Sequence, residues 1–170
     1  MAARPSSLPR RRDTIRYPGH DYSQPGAYFI TLCTQGRRRL FGYVDDHGMH
    51  PNDVAAMVEA TWRSLPLRFP GIALDAMIIM PDHLHGVLFL GADPDIEAKP
   101  PLGDVVSYFK GQSTIRYFDK VRRGVWARVD RRLWQQKYFD RIVRSERELE
   151  RIRWYIESNP ARWWGRRRDE

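Results

Sequence analysis

Two apolar runs in the middle of the chain, residues 72–80 and 83–90, are separated only by Pro81 and Asp82. Both runs have the length of strands, and the residues between them are typical of a turn. We therefore predict a β-hairpin. Its second strand begins His83-Leu84-His85. Because successive side chains of a strand point to opposite faces, the two imidazoles project from the same face of the sheet.

The segments around this hairpin predict two more strands and two helices. Residues 27–34 are rich in β-branched and aromatic side chains, and residues 133–144 also have the character of a strand. Helical spacing of apolar residues predicts helices within 51–69 and over 102–122. The order strand–helix–strand–strand–helix–strand is that of an α+β fold, a ferredoxin-like (RRM-like) antiparallel sheet with both helices on one face.

A third helix is predicted after the last strand, over residues 145–159. Ser145 and Glu148 form a capping-box pattern at its start, and Pro160 is expected to end it. An apolar stripe along one side predicts that this additional helix packs on the sheet; the stripe comprises Leu149, Ile152 and Ile156.

The length of 170 residues suits one compact domain with short extensions. Residues 1–24 are basic and interrupted by prolines, so we expect a flexible N-terminal arm. The domain itself is assigned to residues 25–160, and residues 161–170 to a basic C-terminal tail.

The positive charge of the chain indicates a polyanionic partner. The net charge is +8, and all but four of the 29 basic residues are arginine, the better bidentate ligand for phosphate. A GC-rich genome, whose codons favour arginine, would produce the same bias. Basic residues in the arm and the tail suit contacts to a nucleic-acid backbone; they include Arg10, Arg11, Arg12, Arg166 and Arg167.

The sequence also limits where the protein can act. It has no apolar run of about 18 residues, and its basic N-terminus lacks the apolar segment of a secretory signal. The single cysteine, Cys33, forms no internal disulfide, which agrees with a reducing compartment. We expect a cytoplasmic protein that does not enter a membrane.

Tyr155 and Asn159 lie four residues apart on the flank of the apolar stripe of the last helix. If that helix docks beside His83 and His85, the amide oxygen of Asn159 becomes a third ligand for a metal ion. Two imidazoles and one amide oxygen form an open site, suited to Mg²⁺ or Mn²⁺ taken up with a phosphate substrate. Tyr155 is then the available nucleophile, beside a basic strip of Arg144, Arg147 and Arg151.

Each of these features also has a plainer interpretation. A bare His-x-His pair is often only hydrogen-bonded or exposed, and a tyrosine on a helix flank often has no role beyond packing. Asp82 could orient a histidine, but we expect it to cap the turn. One of the two tryptophans Trp163 and Trp164 is expected to pack under the last helix.

Three blocks of sequence resemble the REP-associated tyrosine transposases, relatives of the single-tyrosine HUH transposases of insertion sequences. The blocks are DYSQPGAYFITLCTQGRRRLFG, FPGIALDAMIIMPDHLHGVLFL and WQQKYFDRIVRSERELERIRWYIESNPARW. The resemblance covers roughly residues 13 to 164 and assigns the family's histidine pair to His83 and His85. It places the nucleophilic tyrosine at Tyr155 and the third metal-binding position, often glutamine in relatives, at Asn159.

The resemblance implies a reaction and a substrate. Such enzymes cut single-stranded DNA near a hairpin, form a 5′-phosphotyrosine link with release of a 3′-hydroxyl, and rejoin strands by the reverse step. It implies palindromic repeats as substrates and either a monomer or a homodimer. Two other functions are compatible with the residues: a hairpin-binding module that stacks bases on Tyr28 or Phe29, and a metal hydrolase of small phosphoesters.

Overall fold

The computed structural model describes residues 21, 24–97, 99–129 and 132–168; for 167 and 168 it describes the backbone alone. Nearly all of the predicted N-terminal arm, including Arg10, Arg11 and Arg12, lies outside these residues. Within the described part, no helix is both long enough and apolar enough to cross a membrane.

A four-stranded antiparallel sheet forms the centre of the molecule. Its strands are β1 (Gly26–Cys33), β4 (Ile72–Met80), β5 (His83–Leu90) and β6 (Phe139–Val143), in the spatial order β4-β5-β1-β6. This is the strand order of the split βαβ arrangement, so the predicted ferredoxin-like fold is confirmed. A separate two-stranded hairpin consists of β2 (Gly42–Asp45) and β3 (Gly48–Pro51).

Five helices complete the described fold: α1 (Asp53–Arg63), α2 (Leu65–Arg68), α3 (Leu102–Arg122), α4 (Glu146–Glu157) and α5 (Asn159–Arg168). Two of them begin with the caps expected of their sequences. The Ala55 amide donates to the Asn52 side chain, and the Glu148 amide donates to the Ser145 hydroxyl. The start of α4, the helix that carries Tyr155, is therefore fixed by its own sequence.

One face of the sheet packs against α1 and α3. Trp62 of α1 and Phe109 of α3 meet edge to face, with ring centroids 5.4 Å apart. Leu84 and Leu88 of β5 are fully buried in the same cluster. Gly86 lies directly beneath Trp62, and a Cβ atom at that position would lie 2.6 Å from the indole ring. Close packing of α1 on the sheet thus requires glycine there.

The other face of the sheet is covered by α4. Its apolar stripe, predicted from spacing alone, is buried against Phe29 of β1 and Val87 of β5; it consists of Leu149, Ile152 and Ile156. Burying each of these large side chains contributes about 1.5–3 kcal/mol, so the stripe favours docking of this 12-residue helix on the sheet. The additional helix therefore lies on the face opposite α1 and α3.

Three predicted elements differ from the structure. The last strand begins at Phe139 rather than at residue 133, and before it Trp134 forms an isolated antiparallel bridge with Thr34. The helix predicted within 51–69 is interrupted at Ser64. Pro160 does not terminate the helical region: α4 ends at Glu157, and Pro160 lies in the first turn of α5, where proline is tolerated. The described part of the predicted tail, 161–168, is helical.

Candidate active site

His83 and His85 lie side by side on the face of the sheet that α4 covers. Both side chains are buried, at 6% and 5% exposure. Their Nε2 atoms are 3.1 Å apart and their ring centroids 4.6 Å apart. The predicted projection of the pair from one face is therefore observed, and the two Nε2 atoms point toward a common place.

The second nitrogen of each ring has a partner that fixes its orientation. Nδ1 of His83 lies 2.6 Å from Oδ1 of Asp82, and Nδ1 of His85 lies 2.8 Å from the Thr31 hydroxyl. The contact to Thr31 follows from the sheet register, since Thr31 pairs with His85. Our expectation that Asp82 only caps the turn is wrong, because its carboxylate contacts the first histidine directly.

Arg37 holds the other oxygen of this carboxylate. Its Nε atom lies 3.0 Å from Oδ2 of Asp82, and its guanidinium donates to the Cys33 sulfur at 2.8 Å. Arg37 has a φ of 56°, in the left-handed region that residues other than glycine rarely adopt. The side chain of this residue contacts Asp82, and Asp82 in turn contacts His83.

The buried environment keeps both imidazoles neutral at neutral pH. Burial lowers the pKa of His83, and the neighbouring charges of Arg37 and Arg166 lower it further, while Asp82 opposes them. Burial also holds the pKa of His85 well below its ordinary value. With Nδ1 of His83 facing a carboxylate, the proton of the neutral ring belongs on Nδ1, and its Nε2 presents a lone pair.

Tyr155 of α4 contacts the second histidine of this pair. Its ring meets the His85 ring edge to face, with centroids 5.3 Å apart, and lies 6.1 Å from the ring of Phe29. The guanidinium carbon of Arg162, from α5, lies 5.2 Å from the centroid of the tyrosine ring. The structure thus brings Tyr155 beside the histidine pair, with an exposed arginine on its ring.

Asn159 begins α5 and is 1% exposed. Its Oδ1 atom has no hydrogen-bond partner within the described part of the chain. A buried amide oxygen without a partner costs about 1–3 kcal/mol, so a hydrogen-bond donor, a water molecule or a cation is expected to satisfy it. One turn further along α5, Trp163 packs on His83 with ring centroids 5.6 Å apart. The helix that carries Asn159 therefore contacts the histidine pair.

The spacing of the two imidazole nitrogens fits two ligands of one divalent metal ion. Two ligands about 2.1 Å from an ion and at right angles to each other lie about 3.0 Å apart, close to the 3.1 Å between the two Nε2 atoms. Neutral imidazoles and an amide oxygen suit Mn²⁺ or Mg²⁺ and leave further positions open. The described residues contain no cluster of three or more histidine, cysteine or acidic side chains, so a closed zinc site is not formed by them.

Four of the predicted DNA-binding arginines have described side chains, and all four are exposed. Arg144, Arg147 and Arg151 are all exposed, at the start of α4 and along it. Arg166 of α5 is exposed and close enough to affect the pKa of His83. The side chain of Arg167 lies outside the described atoms, as do the three arginines of the arm.

Several residues of the site were not predicted as such from the sequence. Thr31, Phe29, Arg37 and Arg162 join it only through strand register or packing between distant segments. For Trp163 we predicted only that it or Trp164 packs under the last helix, and its contact with His83 was not predicted. Without the register that pairs β1 with β5, no pattern in the sequence identifies Thr31 as the partner of His85.

Comparison with known proteins bears on the family and the fold of the chain. A family model described as "Transposase IS200 like" matches residues 27–159. An uncharacterised protein of Haemophilus influenzae is 31% identical over 161 residues, which cover 89% of each chain.

Two solved structures share the fold. One is a REP-associated tyrosine transposase bound to a REP hairpin, with a TM-score of 0.54 and 17% identity over 92% of this chain and 74% of that one. The other is a candidate transposase from Deinococcus radiodurans, with a TM-score of 0.52 and 22% identity over 89% of this chain and 97% of that one. Because the family match covers most of the chain, the chain belongs to the IS200-like transposase family.

Proposed function

We propose that this protein is a metal-dependent endonuclease and strand transferase that acts on single-stranded DNA at hairpins or palindromic repeats. The observation that carries the proposal is the position of Tyr155, whose ring lies 5.3 Å from His85, beside two converging imidazole nitrogens. The positive charge of the chain supports a DNA substrate. The hairpin bound by the REP-associated transposase of similar fold supports the form of that DNA.

His83, His85 and Asn159 are the residues that would hold the divalent ion. The chemistry that such an ion supplies is polarisation of the scissile phosphodiester and neutralisation of the charge that develops on it. Asp82 and Thr31 orient the two imidazoles by holding their Nδ1 atoms, as partners of ligating histidines generally do. The unpaired Oδ1 of Asn159 is the observation that best supports its part in this set.

Tyr155 is the proposed nucleophile. Its hydroxyl gives up its proton to solvent as the oxygen bonds to the phosphorus, and the bond from phosphorus to the 3′-oxygen breaks. The 3′-oxygen leaves as a hydroxyl after it takes up a proton, and the 5′-phosphate stays on the tyrosine. Rejoining is the reverse attack by a 3′-hydroxyl. Because the phosphotyrosine link conserves one phosphodiester, no external energy source is required.

The surroundings of Tyr155 suit this role. Phe29, His85 and Arg162 contact its ring from three directions, which restricts the position of the hydroxyl. Arg162 is exposed, so its guanidinium can contact a phosphate that approaches the tyrosine. Holding a nucleophile and a phosphate in place supplies a large part of the rate acceleration in such reactions.

The burial of the sheet aromatics disfavours a module that only binds hairpins. Tyr28 is 1% exposed and Phe29 5%, so neither ring is available to stack a base. The Tyr28 hydroxyl also donates to the Gln24 carbonyl oxygen. The face that RNA-binding domains of this fold use for stacking is covered here by α4. A hydrolase of small phosphoesters would not need Tyr155, so the Tyr155→Phe variant distinguishes that function from the proposed one.

The test uses labelled single strands that contain palindromic hairpins, incubated with Mg²⁺ or Mn²⁺ and resolved on a denaturing gel. We expect a protein–DNA adduct that requires the metal and is absent in Tyr155→Phe. The matched control is Tyr43→Phe, which removes the hydroxyl of an exposed tyrosine on β2 and should leave the adduct intact. Cleavage that continues without an adduct in Tyr155→Phe would support the hydrolase instead.

A further inference from the structure

Helix α4 has one buried side and one exposed side that carries arginines. The buried side consists of Leu149, Ile152 and Ile156. Opposite to it, at helical spacing, lie three exposed residues, which we name the outer stripe: Arg147, Arg151 and Trp154. Arg151 also lies one turn before Tyr155, so the outer stripe adjoins the nucleophile.

Trp154 is the most unusual member of this stripe. It is 52% exposed, although tryptophan is normally a largely buried residue. It directly precedes Tyr155 in the chain. An exposed indole that follows two exposed arginines, Arg147 and Arg151, along one side of a helix offers an aromatic ring on which a base of single-stranded nucleic acid can stack.

The flank of α4 away from Tyr155 carries the opposite charge. Glu146 and Glu150 lie there, and both are exposed. They are bonded to Arg153, which in turn makes a two-point contact with Asp75 of β4. Arg153, the arginine of this flank, is therefore already paired with carboxylates. A DNA strand that approaches Tyr155 is attracted along the outer stripe and repelled from the acidic flank.

We propose that the outer stripe binds the single-stranded DNA that continues from the scissile phosphate, with a base stacked on Trp154 and phosphates on Arg147 and Arg151. The stripe from Arg147 to Trp154 is about 10 Å long at 1.5 Å per residue. That length spans about three stacked nucleotides. The location of the scissile phosphate rests on the proposed function, whereas the binding surface is defined by the exposed residues of α4 alone.

The test measures binding without cleavage, in EDTA and in the Tyr155→Phe background. Fluorescence anisotropy compares a labelled hairpin with a single-stranded extension and the same hairpin with blunt ends. We expect Trp154→Ala to weaken binding of the extended DNA about tenfold, Trp154→Phe to restore most of the affinity, and the blunt hairpin to bind as before. The matched control is Ile115→Ala, which removes a similarly exposed apolar side chain from α3, on the other face of the sheet.

The arginines are tested by salt dependence. Each single-strand phosphate that an arginine neutralises contributes about 0.7 to the slope of log affinity against log salt. We therefore expect the double variant Arg147→Ala, Arg151→Ala to lower this slope by about 1.4 for the extended DNA. Arg122→Ala, at the exposed end of α3, should leave the slope unchanged.

The proposal is overturned if Trp154→Ala binds the extended DNA as tightly as the parent, or if it weakens the blunt hairpin equally. It is also overturned if the double arginine variant keeps the parent slope. Failure of the proposed function has a different signature: the otherwise wild-type enzyme forms no adduct with metal, while binding of the extended DNA still depends on Trp154.

Discussion

The Nδ1 atom of His83 lies 2.6 Å from the carboxylate of Asp82, its immediate neighbour in the chain. A turn residue thereby sets the orientation of the first residue of the following strand. The contact keeps the proton of His83 on Nδ1 and directs Nε2 toward His85. The backbone of the same aspartate is held by Thr34, whose amide donates to the Asp82 carbonyl oxygen at 3.0 Å. The histidine pair is therefore positioned before any ligand arrives.

Replacement of this carboxylate should weaken metal binding. We expect Asp82→Asn to bind Mn²⁺ about ten- to a hundredfold more weakly, because removal of a charged partner makes the imidazole a poorer ligand. Titration calorimetry with Mn²⁺ and no DNA measures this directly. Asp45→Asn is the control, since Asp45 pairs with His50 in the β2–β3 hairpin. Equal decreases in affinity in both variants would contradict a specific role for Asp82.

Arg37 offers a way to separate backbone strain from side-chain function. Arg37→Gly and Arg37→Ala both remove the contact to Asp82, but only glycine adopts a φ of 56° without steric cost. We expect the glycine variant to be more stable than the alanine variant by about 1 kcal/mol in urea unfolding. Both variants should bind Mn²⁺ more weakly than the parent. Equal stability of the two variants would mean that this conformation carries no strain.

The ion pair between Arg153 and Asp75 fastens α4 to the edge of the sheet. The hydrogen bond from Arg153 lowers the pKa of Asp75, so this carboxylate stabilises the fold above its unfolded pKa of about 3.9. The stabilisation is lost as the pH falls through the lower, folded pKa. We expect Asp75→Asn to be less stable than the parent at pH 6, with a difference that shrinks below about pH 4.

Urea unfolding at a series of pH values measures this difference. Glu59→Gln, which removes the exposed partner of Arg63 within α1, should show almost no effect at any of them. A difference between Asp75→Asn and the parent that persists unchanged at pH 2 would show that the ion pair is not its source.

Replacement by alanine should have opposite effects on stability at Gly86, in the sheet, and at Gly111, in helix α3. We expect Gly86→Ala to lower the free energy of unfolding by about 1–3 kcal/mol, because the added methyl lies 2.6 Å from the Trp62 ring. Gly111→Ala should raise it by about 0.5–1 kcal/mol, since nothing lies within 4 Å of that position in the middle of α3. Unfolding in urea gives both values. A Gly86→Ala variant as stable as the parent would contradict the close packing of Trp62 on Gly86.

The fold was largely predictable because its signals are local. The strands 72–80 and 83–90 and the helix 102–122 have the predicted bounds, since each is an apolar pattern that ends at a proline, a turn or a helix stop. The strand predicted from residue 133 begins with real but minimal pairing: Trp134 forms an isolated antiparallel bridge with Thr34, and the sequence does not distinguish such a bridge from a continuous strand. Pro160 was misread because a proline that stops one helix can also begin the next.

The site was predictable only in part. The spacing of His83 and His85 predicts that both project from one face of the sheet, and the apolar stripe predicts that the helix with Tyr155 packs on the sheet. Docking of this helix beside the histidines was a condition of the prediction, not a result of periodicity. Thr31 and Trp163 reach the histidines through strand register and through the packing of α5. Contacts of this kind depend on the assembled fold and have no signature in a single sequence.

The central claim is that Tyr155 forms the covalent link to DNA. The most direct measurement is mass spectrometry of a tryptic digest of the adduct formed with Mn²⁺ and a hairpin-containing single strand. Trypsin releases residues 154–162 as one peptide, in which Tyr155 is the only tyrosine. We predict that this peptide carries the nucleotides through a phosphotyrosine bond. An adduct on any other peptide, or cleaved DNA with peptide 154–162 unmodified throughout the reaction, would contradict the proposed mechanism.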